Sequence, residues 1–241
     1  MKTSYFKLLM VCVLLFSGIM VSANMPTKQD QKKENRNVGV YSGITLSVPA
    51  DLYLTQGDKN ELIIEGDADI LEKVITEMEG SVLNIRFENW YNNSGNKRIT
   101  IYATTKDINK ISVTGSGKVI SKSPISSSEF DLLVTGSGSI IIDNLTAKSV
   151  ESTITGSGSI LLSGGSKISS LEAEITGSGD FKSENIDFVN ADIDITGSGS
   201  LHVYVSDKLV ANITGSGKVC YKGKPVINAD ITGSGKIVNE N

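Results

Sequence analysis

Asp131, Glu151, Glu172 and Asp192 recur at intervals of 20, 21 and 20 residues. Glu174, Asp194 and Asp230 keep the same rhythm two positions further along, with Asn212 between the last two. Carboxylates set side by side can do three kinds of work. They can form a solvated face that keeps a sheet soluble, hold a divalent cation, or serve as general acid and base on a polysaccharide. Stacked like charges repel, which raises a pKa or recruits a cation. The solvated face is the simplest of the three. Glu172, Glu174, Asp192 and Asp194 are therefore named as a candidate binding surface, with no catalytic residue, metal ligand or cofactor site assigned.

A second constellation is aromatic. The sole tryptophan, Trp90, stands beside Tyr91 in the polar stretch Glu88 to Gly95. Exposed aromatics stack on sugar rings and anchor protein partners. The alternative is that Trp90 folds down to cap the end of a core. Trp90 and Tyr91 complete the candidate surface, whose partner would be a glycan or a cell-surface protein.

Other chemistry is scarce. His202 is the only histidine, which excludes a histidine-rich metal site and disfavours a His-based triad. Lying between Leu201 and Val203, it reads as an exposed surface residue. Lys118, Lys218 and Lys236 follow glycines, but the next residue is Val or Ile where a phosphate-binding loop needs Ser or Thr. Calcium-binding nonapeptides need a recurring aspartate after the glycines, and only Asp180 supplies one. The formal charge of −4 disfavours nucleic acid as the partner.

The elements that must position these groups are written in a repeat. Thr-Gly-Ser-Gly occurs seven times, at Thr114, Thr135, Thr155, Thr176, Thr196, Thr214 and Thr232, and holds 14 of the 24 glycines. Before each threonine stands Val or Ile. Two residues earlier come Ile111, Leu132, Ser152, Ala173, Ile193, Ala211 and Ala229. This period of two marks a strand with one buried face. The second residue after each motif is apolar, from Val119 to Ile237. A third apolar position follows at Ile125, Leu145, Ile168 and Ile186. Each unit of about 20 residues thus has three short strands, enough for one circuit of a triangular coil. A parallel β-helix stacks such circuits into ladders of like residues. Antiparallel hairpins with Gly-Ser-Gly turns remain the alternative.

With its tandem Val/Ile-Thr-Gly-Ser-Gly units and the stretch Val48 to Gly57, the chain from residue 38 to 241 resembles the bacterial putative auto-transporter adhesin family, or head GIN domain family. The resemblance implies a right-handed β-helix on an exported Gram-negative protein. No translocator barrel is evident, so that part of the family name is not carried over.

The segment 1–23 reads as a signal peptide. Lys2 and Lys7 precede an apolar run from Leu8 to Met20, and Val21-Ser22-Ala23 offers the cleavage site. Cys12 lacks the small preceding residue that lipidation requires. Cleavage takes the formal charge from −4 to −6 and leaves Cys220 as the one thiol, with no membrane span. Residues 24–37 are polar and read as a disordered leader. Residues 38–110 read as first rungs and cap, with a helix over Asp67 to Met78 capped by Asp67; residues 111–241 carry the repeats. The chain closes within a rung, which leaves end-to-end self-association open. The expectation is an exported, non-enzymatic β-helical adhesin or envelope-binding module, periplasmic, outer-membrane associated or extracellular. The alternative is a polysaccharide lyase or hydrolase on the same fold.

Overall fold

Period-two strands joined by glycine turns can bury their apolar face only by coiling. The computed structural model describes residues 31–89 and 98–241, so the expected signal peptide, Trp90 and Tyr91 lie outside the described residues. It is a β-solenoid of about six turns, with parallel stacking instead of antiparallel hairpins across the repeats. Each turn presents three columns of strands.

The first column precedes the Gly-Ser-Gly corner. It runs from Lys110–Gly115 through Glu129–Gly136 and Ser149–Gly156 to Val226–Gly233. All seven repeat threonines lie in register along it. The second column follows the corner, from Lys118–Ser121 to Lys236–Asn239. The third is shorter: Ile125–Ser126 pairs with Leu145–Thr146, and Ile168 pairs with Phe188, which pairs with Val205. Inward positions of the three columns are buried, and Phe130, Phe181 and Phe188 are among the largest side chains enclosed. Each large apolar side chain taken from water contributes about 1.5–3 kcal/mol. On the last rung Ile227 and Ile231 are each 40% exposed, because no described rung covers them.

The two glycines of each motif answer different demands. Gly177 has φ +119, and a Cβ there would stand 2.5 Å from the Gly156 carbonyl oxygen. Gly179 needs no positive φ, but a Cβ would meet Ile154 Cγ2 at 2.4 Å. The close approach lets backbone bonds bridge the corner: Ser178 N–H donates to Gly156 O at 2.8 Å and Asp180 N–H to Gly158 O at 3.0 Å. The same pair of bonds recurs from rung to rung.

The N-terminal part joins the same sheet. Gly43–Leu46 pairs in parallel with Lys110–Gly115, and Ala50–Gln56 with Lys118–Ser121. Val82–Phe87 and Ile99–Thr105 continue the parallel stacking on these two strands, and beyond them the pairing turns antiparallel. Glu61–Asp67 lies against Ile99–Thr105, and Val74–Glu79 against Val82–Phe87.

Two expectations are corrected here. The helix over Asp67 to Met78 shrinks to one turn, Ala68–Leu71, and Asp67 makes no side-chain cap bond. The β-branched run Val74-Ile75-Thr76 instead enters a hairpin with Val82–Phe87, turned at Gly80 with φ +59. Strand pairing outweighs a helical spacing that β-branched residues support poorly. The leader is also not disordered along its described length. Gln31–Arg36 forms an antiparallel strand on Glu61–Asp67. It adds to an open sheet edge through backbone bonds and needs little apolar content. Arg36 ties it down by donating to the Leu71 carbonyl at 2.8 Å, its guanidinium held by Glu34 of the same strand at 2.7 Å.

Candidate functional site

The first column carries the carboxylates outward because its alternate residues point into the core. Asp131, Glu151, Glu172 and Asp192 stand opposite one another on four successive rungs. Neighbouring strands are about 4.8 Å apart, so the four make a continuous ladder. Glu174 and Asp194 form a second pair, two positions along. The Asn212 amide donates to the Asp194 carboxylate at 2.9 Å.

The two ladders differ in setting. Asp131, Glu151, Glu172 and Asp192 line a groove of about 770 Å³ at the corner between the third and first columns. Ser149, Ser170 and Asn190 line it beside them. Glu174 and Asp194 do not line it; they stand on the exposed flat of the same face. Lys110 closes one end, its ammonium paired with Asp131. At the other end the column passes from Asp192 to Val210, and Lys208 stands opposite Asn190. The groove is thus acceptor-rich along its length and basic at its ends.

Two features escaped the sequence reading. Tyr53 and Tyr102 pair across adjacent strands with ring centroids 5.6 Å apart. Lys33 stands 5.0 Å from the Tyr102 centroid and Lys122 stands 4.4 Å from that of Tyr53. This four-layer stack of cation, ring, ring and cation is drawn from residues 89 positions apart, and alternation in one strand cannot reveal it. The second feature surrounds Cys220. His202 is half-buried, with its side chain 32% exposed, rather than projecting freely into solvent. Burial pushes the Cys220 thiol up, opposed by the Lys218 ammonium beside it. The thiol hydrogen bond from Cys220 holds the Glu240 carboxyl below its usual range, and His202 and Lys218 act in the same direction.

No curated protein matches the chain. Solved structures do. A putative lipid binding protein from Parabacteroides distasonis ATCC 8503 is 25% identical with a TM-score of 0.73, covering 89% of this chain and 98% of its own. A putative adhesin from Bacteroides fragilis NCTC 9343 is 22% identical with a TM-score of 0.79, covering 88% of this chain and 97% of its own. A putative adhesin from Parabacteroides merdae ATCC 43184 is 19% identical with a TM-score of 0.68, over 88% and 96%. The last two speak for the fold. Residues 40–225, which hold the corner groove, the Tyr53–Tyr102 pair and all but the last repeat, match the family model described as putative auto-transporter adhesin, head GIN domain, and the chain belongs to that family.

Proposed function

We propose that this chain is an exported, non-enzymatic binding module of the adhesin type, whose corner groove engages a hydroxyl-rich glycan of a cell surface or envelope. The family and its structural neighbours point to an adhesin or a lipid-binding protein. Among the described residues no helix is long and apolar enough to cross a membrane. The observation that carries the reading is the ladder of Asp131, Glu151, Glu172 and Asp192 along the groove, with Ser149, Ser170 and Asn190 beside it. Carboxylates accept hydrogen bonds from sugar hydroxyls, and serine and asparagine both give and accept them. The core is filled by buried aliphatic and aromatic side chains, which favours a polar ligand held outside it over an acyl chain held within.

The test compares two paired substitutions on a glycan array, followed by titration of the best glycan. Glu172→Gln with Asp192→Asn changes the groove; Glu174→Gln with Asp194→Asn changes the neighbouring ladder and leaves the groove intact. A charge-assisted hydrogen bond is worth about 1.5–3 kcal/mol, so the groove pair lowers affinity at least tenfold. The control pair leaves affinity within about twofold. Equal losses from both pairs, or no glycan bound, would refute the groove reading. Release of new sugar ends by the unmodified protein would establish the hydrolase or lyase alternative instead.

A further inference from the structure

Three side chains on the second column converge outside the corner groove. His202 and Cys220 stand opposite each other in the parallel register. Glu240 follows Asn239, which stands opposite Tyr221. Its amide donates to the Tyr221 carbonyl at 2.8 Å, so backbone pairing fixes it one rung beyond Cys220. A His202 nitrogen, the Cys220 sulfur and a Glu240 carboxylate oxygen all lie within 4.8 Å of one another. The nitrogen facing Glu240 is Nδ1, 3.5 Å from Oε2.

We propose that His202, Cys220 and Glu240 form a binding site for a divalent transition-metal ion of the zinc class. The donor set is one nitrogen, one sulfur and one oxygen. Thiolate and imidazole suit zinc and its first-row neighbours, whereas magnesium and calcium require oxygen ligands throughout. Bonds of about 2.0–2.3 Å in a tetrahedron place donors about 3.6 Å apart. The His202 and Glu240 atoms already stand at that spacing, and rotation of the exposed Glu240 and the half-buried His202 closes the remaining gap, at most about 1 Å, to the Cys220 sulfur. His202 and Glu240 also border a groove of about 700 Å³, which gives the ion an entry path and leaves a fourth position for water.

Binding involves no redox change. The metal–sulfur bond forms as the thiol releases its proton to solvent. Lys218, which stands against the same sulfur, gives way to the ion as the thiolate's counter-charge. Lys182 stands opposite His202, and Lys222 borders the same groove. With Glu184 and Asp187 on the same groove, the surrounding charges are mixed, and the site selects by donor type more than by net charge.

Cobalt(II) is the probe for the purified full chain, since thiolate ligation gives it a near-ultraviolet charge-transfer band. One equivalent binds, the band appears, and excess zinc removes it. Cys220→Ser abolishes the band while leaving Cys12 in place, which separates the two thiols. Glu240→Gln and His202→Gln each weaken binding at least about tenfold, the loss that even outer-shell partners cost at the low end. Glu240 is exposed, so its variant keeps the fold and holds the test open if Cys220→Ser destabilises the rung. Zinc also raises the thermal midpoint of the unmodified chain but not that of Glu240→Gln. Absence of the band in the folded chain, or cobalt affinity unchanged in Glu240→Gln and His202→Gln, would overturn the proposal.

Discussion

Gly177→Ala is expected to lower stability by about 3 kcal/mol, whereas Ser178→Ala next to it changes almost nothing. The alanine must adopt φ +119, a region closed to side chains. Its Cβ also stands 2.5 Å from the Gly156 carbonyl oxygen, the acceptor of a corner hydrogen bond. Strain of about 1–2 kcal/mol for the backbone and 1–3 kcal/mol for overpacking gives the figure. Ser178 is exposed, and its bond to the previous rung comes from its backbone. Gly179→Ala provides the contrast. Its Cβ would meet Ile154 Cγ2 at 2.4 Å and the Gly158 carbonyl oxygen at 2.9 Å, so Ile154→Ala removes the tighter of the two contacts, rescues part of the loss in a double-mutant cycle and does not rescue Gly177→Ala. Urea midpoints for the unmodified chain, the four single variants and the two double variants check this; equal rescue of both glycine variants would contradict the distinction.

Deleting one whole period, Thr155 to Ile175, leaves a folded protein with one rung fewer, while deleting half a period unfolds the repeat region. The full deletion joins Ile154 to Thr176 and restores an intact Ile-Thr-Gly-Ser-Gly corner. Asp180 then stands opposite Ser139, the position Ser159 occupies otherwise. Each rung contacts its neighbours, so removal subtracts one nearest-neighbour contribution. Deleting Thr155 to Gly164 removes a corner and the strand Ser159–Ser163, and the ladders above and below no longer meet. The far-ultraviolet circular dichroism per residue is unchanged by the first deletion and loses most of its strand signal in the second. The first also removes Glu172 from the groove ladder, so glycan affinity falls although the fold persists.

The repeat region was legible because its spacing and its alternation coincide. Thr-Gly-Ser-Gly located the corner between the first and second columns on each repeat rung, and the buried positions Val113, Leu132, Ile154, Ile175 and Ile195 followed from period two. The stacking of Glu172 on Asp192 and of Glu174 on Asp194 was legible for the same reason. The curvature of the face was not. That four carboxylates share a groove while two stand outside depends on the angle between columns, which no single rung encodes. The strand Gln31–Arg36 was hidden because an edge strand exposed on both sides has no apolar alternation. The region Val74–Glu79 misled because Ile70, Leu71, Val74, Ile75 and Met78 satisfy a helical spacing that the hairpin partner overrides. His202, Cys220 and Glu240 lie 18 and 20 residues apart, one to a rung. Ligand motifs on a solenoid are written vertically, across the period, where a scan for short local patterns does not look.

The close contact at the corners runs in one direction. The Cβ that Gly136, Gly156, Gly177, Gly197, Gly215 and Gly233 each lack would strike the rung before it, while one at Gly115, in the first repeat corner, would meet nothing within 4 Å. Every later rung lies against its predecessor, and the parallel strands Gly43–Leu46 and Ala50–Gln56 carry the first repeat rung. A substitution at one of these corners therefore strikes the interface with the preceding rung, and its cost falls on that one nearest-neighbour contact.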